Sequence, residues 1–407
     1  MRIGQVVIAG AGLAGLRTAE ELRARGYQGA LTMIGAESRP PYDRPPLTKK
    51  FMTGEIDDTS LRADLTALGT DLRLGEAATG LGDGVLRAGK AEFAFDALVI
   101  ATGATPVRLP GPGPQRVLRT FDHAAALRSA LRPGLKLAVV GAGWIGAELA
   151  TSAASQGCQV TVVEAAPAPL AGALGTEAGS RTVPWYAAAG VDLRLGQPVE
   201  SVEPGGLALP GGGWLAADEV VTAVGVRPEV GWLAGSGVLL ENGVAVDEGL
   251  RASVPGIFAA GDCAAFLSRR FGRRLRVEHW DSAIHAPQVV AANILGGDEC
   301  YDPVPYFWSE QFGRMVQYCG QHSPTDKLLW RGDTEGRDWT ACWLARDRPA
   351  GEQPARDWLG GERLTAVLAV SRPRDLLQGR RLIAAGTPVD PVRLADPAVP
   401  LRDATLG

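Results

Sequence analysis

The chain has 407 residues, 46% of them hydrophobic, and a formal net charge of −4 with a pI near 5.7. This length predicts two to four domains at about 100–200 residues each, and the acidic balance argues against nonspecific nucleic-acid binding, which needs a basic face. No segment approaches the ~20 consecutive apolar residues of a membrane span, and no signal-peptide pattern precedes the first predicted strand. We therefore expect a cytoplasmic protein that makes no membrane contact.

Two glycine fingerprints of the same kind stand at the start of two predicted strand–helix–strand segments. The first is Gly10-x-Gly12-x-x-Gly15, which contains Leu13 and Ala14, and the second is Gly141-x-Gly143-x-x-Gly146, which contains Ile145. Apolar runs at 6–8 and 137–140 precede them and indicate buried parallel strands. Helix-like stretches at 16–25 and 145–156 follow, and then strands at 31–34 and 160–163.

An acidic residue follows each fingerprint at the spacing that dinucleotide-binding segments use. Glu37 and Glu164 lie about 20 residues after the third glycine of their fingerprints, where a carboxylate can bond an adenosine ribose. The glycines leave room for a pyrophosphate to approach the free amides of a helix N-terminus. The two patterns together predict two bound dinucleotides, and two dinucleotides in one chain are typical of electron transfer.

The rest of the chain indicates how these segments are arranged. Predicted strands at 97–100, 220–224 and 256–260 end in small residues that permit close cofactor approach, namely Ala101-Thr102-Gly103, Gly225 and Gly261-Asp262. Residues 106–114 are rich in proline and glycine and read as a linker. Tryptophans cluster beyond residue 302, at Trp308, Trp330, Trp339, Trp343 and Trp358, and the alternation at 364–370 predicts an antiparallel sheet.

No cysteine pair or cysteine–histidine cluster in the sequence has the spacing of a zinc site, an iron–sulfur site or a C-x-x-C dithiol. We expect no resident metal and no internal sulfur relay.

Four segments resemble the FAD-dependent NADH:ferredoxin reductases of bacterial oxygenase and cytochrome P450 systems. This putidaredoxin reductase-like group belongs to the pyridine nucleotide-disulfide oxidoreductase superfamily, with its glutathione reductase-like fold. The segments are PYDRPPLTK at 41–49, GDCA at 261–264, EHWDSA at 278–283 and FWSEQ at 307–311. The resemblance implies an α/β fold with two Rossmann-like domains, for FAD and NAD, and a C-terminal α+β domain with an antiparallel sheet. The implied boundaries are 1–107 and 231–304 for the FAD domain, 108–230 for the NAD domain and 305–407 for the C-terminal domain.

The resemblance also implies which residues bind the two cofactors. The residues expected at FAD are Gly10, Gly12, Leu13, Ala14, Gly15, Glu37, Arg44, Lys49, Ala101, Thr102, Gly103, Gly261, Asp262, Trp280 and Trp308. The residues expected at NAD are Gly141, Gly143, Ile145, Gly146, Glu148, Glu164 and Gly225. Simpler interpretations remain open at three of them: Glu37 as a solvated loop acid, Asp262 as an ordinary turn residue and Trp280 as a core residue.

Lys49 and Glu148 are the expected catalytic residues, because the resemblance places this pair where hydride reaches the flavin. The lysine would stabilise the reduced flavin, and the glutamate would neutralise the lysine at rest. The alternative is a surface lysine and an unrelated acid near a helix N-terminus. Glu164 has no arginine close to it in the sequence to receive a 2′-phosphate, which predicts NADH rather than NADPH as the donor.

The implied activity is hydride transfer from NADH to FAD, followed by delivery of single electrons to a small iron–sulfur ferredoxin that supplies a monooxygenase or dioxygenase. Related disulfide-using enzymes carry cysteine where this chain has Tyr42-Asp43, which favours an external acceptor. The alternatives are an NADH oxidase or quinone reductase, and a noncatalytic redox-sensing flavoprotein of the apoptosis-inducing type. The basic run between Arg269 and Arg276 is either a ferredoxin-docking patch or a solvated loop, and we expect a monomer or a weak dimer.

Overall fold

The computed structural model describes residues 3–345 and 361–406, so Trp358 lies outside the described residues. The strands are β1 Gln5–Ala9, β2 Ala30–Gly35, β3 Thr70–Leu74, β4 Ala78–Gly82, β5 Val85–Ala88, β6 Ala91–Ala94, β7 Ala97–Ile100, β8 Ala104–Pro106, β9 Arg116–Val117, β10 Lys136–Val140, β11 Gln159–Val163, β12 Asp192–Arg194, β13 Ser201–Glu203, β14 Gly206–Leu209, β15 Gly213–Ala216, β16 Glu219–Thr222, β17 Val226–Pro228, β18 Val244–Val246, β19 Ile257–Ala259, β20 Ala264–Ser268, β21 Arg273–Arg276, β22 Tyr306–Gln311, β23 Arg314–Gly320, β24 Lys327–Arg331, β25 Trp339–Ala345 and β26 Arg363–Val370.

The helices are α1 Leu13–Ala24, α2 Lys50–Thr53, α3 Phe121–Ala130, α4 Trp144–Ser155, α5 Ala171–Ser180, α6 Val183–Ala188, α7 Trp280–Ile294, α8 Pro373–Ala385 and α9 Pro391–Ala395. Short 3₁₀ turns at Pro45–Thr48 and Gly261–Cys263 carry residues of interest. Helices α1 and α4 begin inside their fingerprints, earlier than the predicted starts at residues 16 and 145. In both, the backbone becomes helical directly after the second glycine of the fingerprint.

The described residues form two compact units. Unit 1 is drawn from Met1–Asp43, Ser60–Thr105 and Arg227–Pro305, and unit 2 from Arg44–Thr59, Pro106–Val226 and Tyr306–Gly407. The first fingerprint lies in unit 1 and the second in unit 2.

Unit 1 is built on a parallel sheet with the strand order β19-β7-β1-β2-β3. The central strand β1 is buried from Val6 to Ala9, as its continuous apolar run predicted. Parallel strands all end at the same edge of a sheet, so the loops after β1, β2, β7 and β19 meet there. These loops carry the first fingerprint, Glu37, Ala101-Thr102-Gly103 and Gly261-Asp262.

Unit 2 contains a second parallel sheet, with the order β12-β11-β10-β16-β9. Its central strand β10 lies between β11 and β16 as β1 lies between β2 and β7. The loops after β10, β11 and β16 carry the second fingerprint, Glu164 and Gly225 at one edge.

Unit 2 also contains the C-terminal antiparallel sheet, with the order β22-β23-β26-β25-β24. The alternation predicted at 364–370 forms β26 in the middle of this sheet. Trp339 and Trp343 are buried in a core that they share with Trp185 of α6 and Leu174 of α5. The predicted fold class, two Rossmann-like parallel sheets and a C-terminal antiparallel sheet, is confirmed.

Candidate cofactor and charge-pair sites

The first fingerprint contains two glycines that the protein itself requires and one that it does not. A Cβ on Gly10, where φ is +126°, would lie 2.1 Å from the Ala101 carbonyl oxygen, and one on Gly15 would lie 1.9 Å from the Gly10 carbonyl oxygen. A Cβ on Gly12 would meet nothing within 4 Å, and its φ of −89° suits any residue. A side chain at Gly12 would therefore enter open space and meet no protein atom.

The second fingerprint repeats this arrangement. A Cβ on Gly141 would lie 2.5 Å from the Ala223 carbonyl oxygen, and one on Gly146 would lie 2.0 Å from the Gly141 carbonyl oxygen. Gly143 again faces open space, with a φ of −76°. Neither α1 nor α4 has a side-chain cap at its N-terminus. Both N-termini can hold a pyrophosphate on their free amides.

Small residues from two loops of unit 1, those after β7 and β19, lie beside the first fingerprint. The Ala101 amide donates to the Ala9 carbonyl at 2.7 Å, and a Cβ on Gly261 would lie 3.0 Å from the Ala14 methyl carbon. Gly103 and Gly261 both have positive φ, and the Thr102 hydroxyl donates to the Glu229 carbonyl at 2.6 Å. The structure thus brings Ala14, Ala101 and Gly261 together, with Asp262 in the adjoining 3₁₀ turn.

Glu37 and Trp280 each have a partner in unit 1 that the sequence did not reveal. The Tyr42 hydroxyl donates to Glu37 Oε2 at 2.6 Å, which fixes this acid after β2. Trp280 is the first residue of α7, and its Nε1 donates to Asp43 Oδ1 at 2.9 Å. Trp280 is 37% exposed, so it is not a core residue.

Lys49 and Glu148 form a largely buried ion pair in unit 2. Lys49 Nζ lies 2.7 Å from Glu148 Oε2, and the two side chains are 14% and 5% exposed. The Thr48 hydroxyl donates to the same Oε2 at 2.5 Å, and the Ser309 hydroxyl donates to Oε1 at 2.7 Å. The simpler interpretation, a surface lysine and an unrelated helix-terminal acid, is wrong. We call Thr48, Lys49, Glu148, Ser309 and Gln311 the Glu148 cluster.

Trp308 lies on β22 next to Ser309, on the opposite face of the strand because side chains alternate. Its ring is stacked on Tyr306 with 6.2 Å between centroids, and the Arg380 guanidinium lies 5.2 Å from the Tyr306 ring centroid. Arg44 is also in unit 2, where its Nη1 donates to the Arg119 carbonyl at 2.6 Å.

Glu164 is fixed by backbone donors at the edge of the second parallel sheet. Its Oε2 accepts from the Ala142 amide at 2.7 Å and its Oε1 from the Ala166 amide at 2.8 Å. It therefore braces the loop between Gly141 and Gly143. The Glu164 amide donates a hydrogen bond to the carbonyl of Arg194 on the neighbouring strand. The Arg194 guanidinium forms an ion pair with Asp192. This arginine could not be found from the sequence, because it is 30 positions from Glu164 and the pairing of β11 with β12 brings the two together.

Buried thiols and one histidine are held in their neutral forms. Burial raises the pKa of Cys263 to about 11 and that of Cys319 to about 12, and it also raises the pKa of Cys342. Burial lowers the pKa of His279 to about 4, against an opposing effect of Asp262. These thiols are poor nucleophiles near neutral pH, since the thiolate is the reactive form.

The basic run is largely paired within unit 1. Arg269 pairs with Glu248, Arg274 Nε with Glu241 at 2.8 Å, and Arg276 with Glu278 at 2.5 Å. Much of its charge is thus neutralised locally.

Comparison with known proteins places these sites in a family. The family model for pyridine nucleotide-disulphide oxidoreductases matches residues 4–286, and a reductase C-terminal model matches residues 306–353 and 346–405. The chain belongs to the pyridine nucleotide-disulphide oxidoreductase family. This membership confirms the expected oxidoreductase class and its cofactors, FAD and NAD(H).

The relatives of this chain include proteins named as ferredoxin reductases. The ferredoxin–NAD(+) reductase component of an anthranilate 1,2-dioxygenase system from Burkholderia cepacia is 35% identical, over 97% of this chain and 98% of that protein. Fdr9, for which a crystal structure exists, has 48% sequence identity to this chain. The two structures match with a TM-score of 0.91, over 98% of this chain and 99% of Fdr9. A covalent putidaredoxin reductase–putidaredoxin complex is 28% identical, with a TM-score of 0.90 over 98% of both chains. The resemblance to ferredoxin reductases of oxygenase systems is confirmed.

Within residues 3–345 and 361–406, no helix combines the length and the apolar character that crossing a bilayer requires.

Proposed function

We propose that this flavoprotein reductase takes electrons from NADH and passes them singly to a small iron–sulfur ferredoxin that supplies an oxygenase. The observation that carries the proposal is the pair of open fingerprints, in which Gly12 and Gly143 face space that the polypeptide leaves empty. FAD, when bound, accepts an electron pair and releases it in single steps.

We assign FAD to the first fingerprint, with Glu37 on the ribose and Asp262 along the cofactor chain. The fit rests on the small residues Ala101 and Gly261, which lie against Gly10 and Ala14 of the fingerprint. On the family resemblance alone we add Arg44, Lys49 and Trp308 to this set. Trp280, anchored by Asp43, completes it at the N-terminus of α7.

We assign NAD to the second fingerprint, with Glu164 as the residue that selects the nucleotide. Its carboxylate, already fixed by two backbone amides, can accept bonds from free ribose hydroxyls and repels a 2′-phosphate. Gly225, in the loop after β16, faces open space at the same sheet edge.

Lys49 and Glu148 adjust the charge at the reacting cofactor. Lys49 supplies a positive charge that favours the reduced cofactor, and Glu148 neutralises that charge while the enzyme rests. Because the pair is nearly buried, water screens it little, and its effect on the cofactor is correspondingly large.

We propose that no cysteine carries electrons from the flavin to the acceptor. The five cysteines are unpaired, and the buried ones are held as thiols. Unpaired cysteines also fit the reducing cytoplasm, where we place the protein. We propose that it acts as a monomer or weak dimer.

Two measurements test this function. Stopped-flow mixing with NADH should bleach the flavin within milliseconds to seconds, and cytochrome c reduction should depend on added iron–sulfur ferredoxin. Slow bleaching with a persistent long-wavelength band would instead identify a redox sensor. Rapid NADH consumption with oxygen or a quinone, unaffected by ferredoxin, would identify an oxidase or quinone reductase.

Substituting Glu164 should change the choice of nucleotide. In Glu164→Ala we expect kcat/KM for NADH to fall by about tenfold or more, because the ribose contact and the brace on Ala142 are both lost. The value for NADPH should hold or rise, since the repelling carboxylate is gone. Steady-state kinetics with both nucleotides measure this, and an unchanged ratio of the two values would contradict the assignment.

A further inference from the structure

Strand β22 lies along helix α4 through two of its side chains and one backbone amide just beyond it. The Phe307 ring packs edge-on against Trp144 with 4.4 Å between centroids, and Ser309 bonds Glu148. The Phe312 amide, just beyond the strand, donates to the Thr151 hydroxyl at 3.0 Å. Residues alternate along a strand while every fourth residue of a helix shares a face, so the two elements match. The strand is held on the helix by contacts on both sides of Ser309.

The Ser309 hydroxyl has a fixed direction. It is 1% exposed, and it carries a single proton. Gln311 Nε2 donates to Ser309 Oγ at 3.0 Å, which occupies the serine oxygen as an acceptor. The serine proton is thereby left for Glu148 Oε1, 2.7 Å away. Gln311 itself is fully buried, so its amide cannot turn to solvent.

The two oxygens of Glu148 have different partners. Oε2 pairs with the Lys49 ammonium and accepts from the Thr48 hydroxyl, while Oε1 accepts from the Ser309 hydroxyl. A carboxylate is planar, so fixing Oε1 sets the direction in which Oε2 points. Ser309, together with Thr48 on Oε2 itself, therefore helps to direct Oε2 at the Lys49 ammonium.

We propose that Ser309, oriented by Gln311, is a positioning residue that holds the Glu148 carboxylate on Lys49 and so sets the rate of the NADH step. The inference rests on the proposed function for its kinetic part. It assigns the C-terminal sheet a role in the charge pair that is distinct from packing, since Phe307 and Phe312 already attach the strand to α4.

The test is a double-mutant cycle of the starting protein, Ser309→Ala, Glu148→Gln and the double variant, each loaded with FAD. Ser309→Ala should raise the limiting rate of flavin reduction by NADH about tenfold, the effect of one hydrogen bond to a charged group, because a loosened Glu148 neutralises Lys49 less. In the Glu148→Gln background the same change should alter the rate by less than about twofold, because Ser309 acts only through Glu148.

A second readout does not depend on turnover. Acylation of Lys49 by an amine reagent, followed by peptide mapping of the oxidised protein without NADH, should be severalfold faster in Ser309→Ala. Ser309→Thr, which keeps the hydroxyl, should return the acylation rate towards that of the starting protein. Thr365→Val is the matched control, because it removes a hydroxyl of the same sheet that bonds Asp326 instead; it should change neither readout.

Equal rate changes from Ser309→Ala with and without the Glu148 carboxylate would overturn the inference, as would an unchanged Lys49 acylation rate. If Ser309→Ala does not fold, Gln311→Met keeps the hydroxyl and removes its orienting donor, and it should shift both readouts in the same direction by less. A starting protein that NADH does not reduce would refute the proposed function instead, and the acylation cycle would still decide the role of Ser309.

Discussion

Gly143→Val is expected to abolish reduction by NADH while the protein keeps its fold and its FAD. The valine side chain would enter the space in front of α4, where a Cβ meets no protein atom within 4 Å. The backbone is extended there, which suits a β-branched residue. Only a bound pyrophosphate would be displaced, so kcat/KM for NADH should fall by about two orders of magnitude or more. Dithionite should still bleach the flavin fully.

Gly12→Val is the matched control, because it makes the same change at the corresponding position of the first fingerprint. We expect this variant to be purified without flavin and to keep a helical circular dichroism spectrum. The two variants together assign one fingerprint to each cofactor. The assignment would be refuted by loss of FAD from Gly143→Val, or by normal NADH kinetics in it.

Lys49→Ala is expected to slow flavin reduction by about 100-fold or more with FAD retained, since it removes a preorganised charge from the reacting site. It should also lower the free energy of unfolding by about 3 kcal/mol, because Glu148 would be left buried without its cation. Stopped-flow absorbance measures the first effect and urea unfolding the second.

Lys50→Ala is the control for Lys49→Ala, since Lys50 is the next residue, is exposed and opens α2. It should leave the rate and the stability as they are. Adding Glu148→Gln to Lys49→Ala should recover much of the stability but not the rate. A Lys49→Ala protein reduced at the original rate would remove the lysine from the mechanism.

The two parallel sheets could be predicted because their information is local. The runs at 6–8 and 137–140 are continuously apolar, and the glycines needed for close packing recur at fixed offsets. Only the helix starts were placed late, because a helix that opens on a glycine has no capping side chain to mark it. The bond from Trp280 to Asp43 could not be predicted, because it joins residues far apart in the chain.

The Glu148 cluster could be predicted only in part. Lys49 and Glu148 followed from family resemblance, but Thr48 and Ser309 gave no sign in the sequence that both would donate to one carboxylate. A serine in a strand is common, and its partner lies 161 positions away. The position of Arg194 could not be predicted for the same reason, since the pairing of β11 with β12 brings it beside Glu164.

Strand β22 has consequences for engineering, because its two faces serve different purposes. One face carries the Tyr306–Trp308 stack, and the other carries Ser309 and Gln311 beneath Glu148. A chimera can exchange the C-terminal sheet for that of another reductase to acquire a new redox partner. Such a chimera would also replace the residues that hold Glu148 of the charge pair. Swaps that retain serine and glutamine at these two positions should preserve turnover with NADH, whereas swaps that lose them should alter it even when the new partner docks correctly.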